Sequence, residues 1–378
     1  MLPEGWERKT VDDIFDVQLG KMLNKEAKEK HPQYNYLGNS NVLWGSFSMN
    51  KLNEMYFSEK EKIKFHLKHG DILMCEGGEV GRCAIWTMEH SEIFFQKAIH
   101  RLRSKGSVCP TFFQNFMQSI SGTKLLDDYT TKTSIAHLTR EKLLAIPVPL
   151  PPLPEQKKIA AILSTWDRAI EGTEKLLANS QQQKKALMQQ LLTGKKRLPG
   201  FTGEWFHLPF KKVAELIYGK ALPEKSSAHT TVYPVYGTGG IISYSDEYLF
   251  EGPSIIIGRK GTIDTPRYVN TPFWCIDTTF YCKSIHDNDV KFLYYSTCFV
   301  KLRRYVEASG VPSLSRDTIY SIPLMLPPSL SEQKAIAAVL TTADEEITTI
   351  ESDLTRLRQE KKALMQQLLT GKRRVTVD

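Results

Sequence analysis

The sequence predicts an α+β protein in which two mixed α/β globular lobes are separated by a pair of long antiparallel coiled-coil helices. The first observation is a repeat: KKALMQQLLTGK occurs at residues 184–195 and again at 361–372. The second is that each copy closes a long stretch without proline, 155–192 and 332–369. An internal repeat of this size predicts two similar halves related by a pseudo-two-fold axis.

The composition suits folded lobes and a polyanionic partner. The chain has 378 residues, of which 41% are hydrophobic, and this length suits two domains with connecting elements. Lys and Arg outnumber Asp and Glu by 50 to 42, giving a net charge of +8. That excess fits nucleic acid, but a solvated basic face explains it equally well.

Cysteine usage and hydropathy favour a cytoplasmic protein. None of the six cysteines lies in a CxxC pair or at zinc-ligand spacing from a histidine, which predicts reduced thiols and no bound metal. No apolar run approaches the roughly 18 residues that span a membrane. The start, MLPEGWERK, has no apolar region of the kind found in secretory signals. We therefore expect no membrane partner.

The repeat gives the domain order. The segment EQKKIAAILSTWD at 155–167 matches EQKAIAAVLTTAD at 332–344, and each follows a proline-rich entry. Trp6 and Gly20 in the first half correspond to Trp205 and Gly219 in the second. We expect a first lobe at 1–150, a central helix at 151–197, a second lobe at 198–326 and a C-terminal helix at 327–378.

Both lobes show short apolar runs and glycine turns. CAIWTM at 83–88 and PSIIIG at 253–258 are typical of strands, while 109–119 and 290–306 are typical of helices. Glycine-rich turns occur at GGEVGR, 77–82, and at GRKG, 258–261. The lobes are therefore predicted to be mixed α/β, with strand pairing left open.

Apolar residues in the two helices recur alternately every four and three residues, which is a coiled-coil seam. The apolar seam positions are Ile159, Leu163, Trp166, Ile170, Leu177, Leu187 and Leu191 in the first helix, and Ile336, Leu340, Ala343, Ile347, Ile350, Leu354, Leu357, Leu364 and Leu368 in the second. An antiparallel pair brings Ile159 near Leu368. It also brings Lys361 near Trp166, where we expect a cation–π contact.

Three segments carry a family resemblance: LLTGKKRLPGFTGEW at 191–205, YPVYGTGGIISYSDEYLFEGPSIIIGRKGTID at 233–264, and IPLMLPPSLSEQKAIAAVL at 322–340. Together and in this order, they resemble the specificity subunits of Type I restriction–modification systems, over essentially the whole chain. The resemblance implies two target-recognition domains, each reading one half of a bipartite sequence in double-stranded DNA, with the helices setting the gap. It also implies docking to two adenine methyltransferase subunits and two ATP-driven restriction subunits.

No catalytic motif is found in the sequence. It lacks the GxxxxGK[ST] loop of ATPases, a glycine-rich cofactor loop after a strand, and the Asn/Asp-Pro-Pro-Tyr tetrapeptide of adenine methyltransferases. His66 and His69 lack a third ligand and are interpreted as surface histidines. We expect a non-catalytic subunit without cofactors, with S-adenosylmethionine, ATP and Mg²⁺ bound by partner subunits.

The glycine turns are the candidate DNA contacts, because glycine lets the backbone approach a groove closely. The second-lobe turn carries Arg259, suited to guanine, and Lys260, suited to phosphate. The aligned first-lobe turn carries Glu76, Glu79 and Arg82, and glutamate accepts from the cytosine amino group.

Lys132, Thr133 and His137 are further candidates, in the segment before the last strand of the first lobe. The alternative for all these residues is a structural role, with base readers elsewhere in the lobes. For the whole chain, the rival interpretations are a coiled-coil scaffold whose lobes bind proteins, and a fragment of an enzyme that both methylates and cleaves.

Overall fold

The computed structural model describes residues 2–89, 92–132, 136–222, 232–306 and 310–377. The chain forms two compact units. Unit 1 consists of Met1–Thr173 with Asp353–Asp378, and unit 2 of Glu174–Ser352. Each unit therefore combines one lobe with a part of each long helix.

Unit 1 contains the first lobe. Its strands are β1 (Glu7–Thr10), β2 (Phe15–Leu19), β3 (Gln33–Leu37), β4 (Asn53–Tyr56), β5 (Ile72–Cys75), β6 (Cys83–Ile85), β7 (Phe94–Phe95), β8 (Ile99–Ser104), β9 (Thr131–Lys132), β10 (Ala136–His137) and β11 (Pro147–Leu150). Its helices are α1 (Val11–Ile14), α2 (Lys25–Glu29), α3 (Glu59–Phe65), α4 (Pro110–Ile120), α5 (Lys124–Asp128), α6 (Arg140–Leu144), the first part of α7 (Leu153–Leu191) and, from Asp353 on, the end of the C-terminal helix α10 (Leu330–Leu368).

Unit 2 contains the second lobe. Its strands are β12 (Phe206–Pro209), β13 (Ala214–Tyr218), β14 (Tyr233–Gly237), β15 (Gly240–Ser245), β16 (Ser254–Gly258), β17 (Arg267–Val269), β18 (Trp274–Cys275), β19 (Thr279–Ser284) and β20 (Pro323–Leu326). Its helices are the remainder of α7, α8 (Val290–Val300), α9 (Arg316–Ser321) and the first part of α10 (Leu330–Leu368).

Three sheets of the same topology occur in both lobes, and the first lobe also has the two-stranded sheet β9-β10. A four-stranded antiparallel sheet has the order β2-β8-β5-β6 in unit 1 and β13-β19-β16-β17 in unit 2. A three-stranded sheet follows, β4-β3-β7 and β15-β14-β18, in which the last pair is parallel. The first and last strands of each lobe pair as β1-β11 and β12-β20. The internal repeat of the sequence is thus a repeat of the fold.

The strand that leads into each glycine turn is buried on both faces. In β5, Ile72 and Met74 pack into the cluster shared with α4 and the long helices, whereas Leu73 and Cys75 pack towards the three-stranded sheet. In β16, Ile255 and Ile257 face one cluster, and the intervening isoleucine faces the other. Alternation of side chains across a strand explains why these runs are continuously apolar.

Gly20 and Gly219 have the same role in the two lobes. A Cβ at Gly20 would lie 2.3 Å from the carbonyl oxygen of Gln96, and one at Gly219 would lie 2.1 Å from that of Ile276. Each glycine ends the first strand of the four-stranded sheet where another backbone crosses closely. Only glycine fits this approach, which explains the residue at both repeat positions.

Proline and glycine delimit the long helices, since α7 follows Pro151 and Pro152 and ends shortly before Gly194. Every predicted seam position in α7 and α10 is buried or half-buried, while most of the flanking positions are exposed. In unit 1 the start of α7 packs on the end of α10, with Ile159 and Leu368 in one apolar cluster. In unit 2 the end of α7 packs on the start of α10, with Leu191 and Ile336 together. The helices are therefore antiparallel within each unit.

The two lysines in the seam, Lys184 and Lys361, form ion pairs with the facing helix. The ammonium of Lys361 lies 2.5 Å from the carboxylate of Asp167, and Lys184 pairs in the same way with Asp344. Among the described residues, no cation–π contact joins Lys361 to Trp166, so that expectation is wrong. An acidic residue directly after the tryptophan offers the lysine a stronger partner than the indole ring.

In each unit, an arginine that follows one long helix binds a buried glutamate at the start of the other long helix. Arg374 donates to both carboxylate oxygens of Glu155, at 2.7 and 2.9 Å. Arg197 donates to both carboxylate oxygens of Glu332, at 2.5 and 2.7 Å. These residues are repeat equivalents, and each glutamate lies in the first turn of its helix, where negative charge is favoured. None of the described helices is long and apolar enough to cross a membrane.

Candidate nucleic-acid interface

The second-lobe turn, residues 258–261, is hydrogen-bonded on both sides. The amide of Arg259 donates to the carbonyl of Thr278 at 2.8 Å, and its carbonyl accepts from the amide of Leu314 at 3.0 Å. The amide of Gly261 donates to the carbonyl of Pro312 at 2.9 Å. The turn is thus held between two other segments of the lobe, so its side chains start from a fixed backbone.

Arg259 lies at the rim of a cleft of about 180 Å³ whose lining includes Lys260, Ser313 and Ser315. Its Nη1 donates to the carbonyl of Asp277 at 3.1 Å. Lys260 is exposed on the same turn. The two basic side chains predicted as DNA contacts therefore lie together at one surface of the second lobe.

Sequence reasoning missed two neighbours of Arg259. The guanidinium carbons of Arg259 and Arg316 lie 5.4 and 5.5 Å from the centre of the Tyr218 ring. These residues come from the turn after β16, the start of α9 and the end of β13. The sequence signal for this cluster lies in the repeat. Tyr218 stands before Gly219 at the position where the first half has Leu19 before Gly20, so an aromatic ring replaces an aliphatic side chain.

The first-lobe turn has the same backbone framework. The amide of Glu76 donates to the carbonyl of Ala98 at 2.8 Å, and its carbonyl accepts from the amide of Leu138 at 2.7 Å. A bridge joins Gly77 to His137, as a bridge joins Lys260 to Ser313 in the second lobe. Glu76 thus occupies the place of Arg259, with the opposite charge.

Glu79 and Arg82 contact each other within this turn. Oε1 of Glu79 accepts from Nε1 of Trp44 at 2.6 Å, and Oε2 lies 3.3 Å from Nη1 of Arg82. Nη2 of Arg82 donates to the carbonyl of Asn39 at 3.0 Å. Arg82 braces the turn, so its predicted role as a DNA contact has less support from the geometry than that of Glu76 or Glu79. Half of the Glu79 side chain stays exposed.

Of the remaining first-lobe candidates, His137 lies beside this turn. His137 belongs to β10, and a Cβ on Gly77 would lie 3.0 Å from its Nδ1. Lys132 ends β9, which pairs with β10, and its side chain is outside what the structure describes. Thr133 lies outside the described residues altogether.

His100 lies beneath the first-lobe turn. It is fully buried, and its Nε2 donates to the carbonyl of Leu138 at 3.0 Å. Burial lowers the pKa of His100 below its usual range, and the hydrogen bond to Leu138 opposes this only in part. The neutral ring therefore supports the segment that holds Glu76.

The described residues contain no group of three or more His, Cys, Asp or Glu side chains that could hold a metal ion. Burial raises the pKa of Cys75, and it raises the pKa of Cys275 to about 11. These thiols are packing residues of the core, in line with their positions on β5 and β18.

A protein-family model for the Type I restriction modification DNA specificity domain matches residues 3–179 and 203–357. The chain belongs to this family. The two matches correspond to the two halves of the internal repeat, so the chain carries two DNA specificity domains.

Curated relatives match along almost the whole chain. The putative type I restriction enzyme MjaX specificity subunit of Methanocaldococcus jannaschii is 25% identical over 414 residues, covering 99% of this chain and 95% of that protein. The MjaVIII specificity subunit of the same organism is 26% identical over 423 residues, covering 99% and 94%. The chain is thus similar to complete DNA specificity subunits.

Solved structures share the fold. The S subunit of a Type I restriction–modification system from M. genitalium has a TM-score of 0.68 at 18% identity and covers 97% of both chains. A chain from a structural study of assembly and conformational transition in the type I R-M system has a TM-score of 0.61 at 16% identity, covering 99% of this chain and all of that one.

Proposed function

We propose that this chain is the DNA-reading subunit of a Type I restriction–modification complex, with one half-site read by each lobe. The observation that carries the proposal is the pair of equivalent turns. Both are held by matching backbone hydrogen bonds, yet one presents Arg259 and the other Glu76 at the same place. A backbone framework that both lobes share, but that carries side chains of opposite charge, suits two different DNA half-sites.

The side chains at these turns have complementary base preferences. Arginine donates two parallel hydrogen bonds to N7 and O6 of guanine, whereas glutamate accepts from N4 of cytosine. Lys260, exposed beside Arg259, suits a phosphate. The net charge of +8 supports association with DNA without specifying a sequence. We infer that Arg259 reads a base in the second half-site, and Glu76 or Glu79 a base in the first.

The long helices support two further parts of the proposal. In the chain, the first lobe precedes α7 and the second lobe lies between α7 and α10. The length of these helices would therefore set the gap between the two half-sites. Their flanking positions are largely exposed, and Leu176 in mid-helix is 51% exposed. Such faces suit docking of two adenine methyltransferase subunits and, in the larger complex, two restriction subunits. Those partners would bind S-adenosylmethionine, ATP and Mg²⁺, and this chain no cofactor.

The first test uses the chain assembled with its methyltransferase. We expect specific binding to one split DNA sequence, with an affinity that falls steeply with salt. Arg259→Ala should weaken recognition of one base pair in the second half-site by about 1–3 kcal/mol. Glu76→Gln is the matched variant for the first half-site. If methylome sequencing shows an unchanged motif for both variants, the turns have only a structural role. If the affinity for DNA does not depend on salt, the chain is better explained as a protein scaffold.

The second test changes helix length. Ser180 donates to Glu346 at 2.9 Å, which places these positions opposite each other. Four residues added after Gln182 in α7, with four added near residue 345 in α10, lengthen both helices by about 6 Å. At about 3.4 Å per base pair, the gap should grow by one to two base pairs with both half-sites unchanged. An altered half-site with the original gap would contradict this role for the helices.

A further inference from the structure

Tyr218 has an environment that the first lobe does not share. Its side chain is exposed, at 43%, yet its ring packs at a tilt of 54° against the buried Phe280, with ring centres 4.8 Å apart. Phe280 belongs to β19, the neighbour of β13 in the sheet. The tyrosine ring is thus fixed against the core from one side and reaches the surface of the second lobe.

Both arginines that contact this ring are oriented by aromatic groups. The guanidinium of Arg316 also lies 5.9 Å from the ring centre of Tyr320. The hydroxyl of Tyr320 accepts a hydrogen bond from the amide of Leu216 in β13 at 3.0 Å. Contact with an aromatic face leaves the edge donors of a guanidinium available. In Arg259, Nη1 already donates to the carbonyl of Asp277 at 3.1 Å, so the edge formed by Nε and Nη2 is the one left for an external acceptor.

The described residues of this site bring three positive groups together. Arg259 and Arg316 face the same ring, and Lys260 adds a third positive group on the adjacent turn. In the described parts of the chain, neither guanidinium forms an ion pair with a carboxylate. Like charges this close repel each other, so the arrangement favours an anion supplied from outside.

The first lobe shows that the fold does not require this cluster. At the equivalent places it has Leu19, Glu76 and Arg140, and Nε of Arg140 donates to the carbonyl of Val17 at 3.0 Å. The equivalent arginine is therefore bound to backbone, beside an aliphatic residue and an acidic one. The aromatic–arginine cluster is a specific feature of the second lobe.

We propose that Tyr218 positions Arg259 for a guanine edge and that Arg316 binds the DNA phosphate next to that base. The inference rests on the proposed function and assigns two more residues to the second half-site. The cation–π contact with the ring restricts the rotamers of Arg259, which reduces the entropy lost when it forms two parallel hydrogen bonds. Arg316, exposed at the start of α9, supplies the neighbouring charge.

The experiment uses the full chain assembled with its methyltransferase and a fluorescent duplex that carries the recognised sequence. Binding is measured over a range of salt concentrations, and against duplexes with single base-pair changes in the second half-site. The variants are Tyr218→Leu, which installs the first-lobe residue, Tyr218→Phe, which keeps the ring, and Arg316→Ala. Tyr248→Leu is the control, because Tyr248 has the same exposure of 43% and contacts Tyr233 and Glu251 instead.

Arg316→Ala should make the negative slope of log K against log salt shallower by about 0.9, with the base preference unchanged. Tyr218→Leu should reduce discrimination at one base pair, by up to the roughly 5- to 150-fold expected for loss of one bidentate contact. Tyr218→Phe should retain that discrimination, and Tyr248→Leu should leave it unaltered. Melting curves of each assembled variant show whether the lobe stays folded.

An unchanged salt slope in Arg316→Ala would overturn the phosphate assignment. Full discrimination in Tyr218→Leu, equal loss in Tyr218→Phe, or equal loss in the Tyr248→Leu control would overturn the positioning role. These results differ from failure of the proposed function, in which the unaltered chain in its complex would show no base preference at all.

Discussion

Removal of the Arg197 guanidinium should destabilise unit 2 at the start of α10. Nε and Nη2 of Arg197 bind both oxygens of Glu332, whose side chain is 0% exposed. The same guanidinium donates to the carbonyls of Thr202 and Gly203, at 3.0 and 2.7 Å. Arg197→Ala therefore leaves a buried carboxylate without its cation and frees the segment that enters the second lobe.

The expected magnitude follows from that burial. Removing one partner of a buried ion pair costs about 3–5 kcal/mol, because the remaining charge is uncompensated. Glu332 lies in the first turn of α10, where the helix dipole stabilises a negative charge by about 0.3–1 kcal/mol. We expect the free energy of unfolding of unit 2 to fall by about 2–4 kcal/mol. Replacing both partners by apolar residues, Arg197→Met with Glu332→Leu, should recover most of this loss.

Urea unfolding followed by circular dichroism measures the loss, and hydrogen exchange with mass spectrometry localises it to residues 330–340. The control is Arg356→Ala, which removes an exposed pair with Asp353 and Glu360 and should change little. The reasoning fails if Arg197→Ala lies within about 0.5 kcal/mol of the unaltered chain, the range of ordinary surface substitutions. It also fails if the double variant is no more stable than the single one.

Three other outcomes are expected. Because the folded-state pKa of His100 is lowered from 6.5, unit 1 should have its full stability above that pH and lose it as the pH falls below. The slope is at most about 1.4 kcal/mol per pH unit, and a His100→Gln chain whose melting temperature falls equally steeply would exclude this cause. Gly258→Ala should abolish reading of the second half-site alone, because the new Cβ would lie 2.1 Å from the carbonyl oxygen of Thr262; methylome sequencing checks this. Lys361→Met should leave the melting temperature of unit 1 unchanged or raised, since the half-exposed Asp167 stays solvated, and a clear decrease would contradict it.

Periodicity and repetition predicted the architecture because both act through many residues at once. The alternation that predicted Ile159 opposite Leu368 is a property of the whole helix, and one ion pair cannot alter it. The partner of Lys361 depended instead on a single side chain, Asp167, next to the seam. The pairs at Glu155 and Glu332 join segments far apart in sequence, so no local pattern could indicate them.

For the candidate interface, the sequence predicted the position of the two turns but not the side chains that surround them. Glycine spacing located both turns, because a close backbone approach limits which residues fit. The cluster of Tyr218 and Arg316 beside Arg259 depends on three strand and helix ends converging, which the sequence of any one segment does not encode. Arg82 shows the converse: a basic residue in a predicted DNA-contacting turn can be engaged by its own loop.

The division of unit 1 into two stretches of chain has a consequence for synthesis on the ribosome. Residues up to Thr173 emerge early, but the segment that completes their apolar cluster, with Met365, Leu368 and Leu369, is made only after all of unit 2. At a translation rate of about 5–20 residues per second, the apolar face at the start of α7 stays exposed for roughly 10–40 s before the end of α10 is made. Nascent chains arrested at residue 352 should therefore be cleaved in unit 1 by a protease that spares full-length chains, and equal resistance would show that the first lobe folds without its late segment. Residues 353–369 would then complete the first domain only after the second domain has been made.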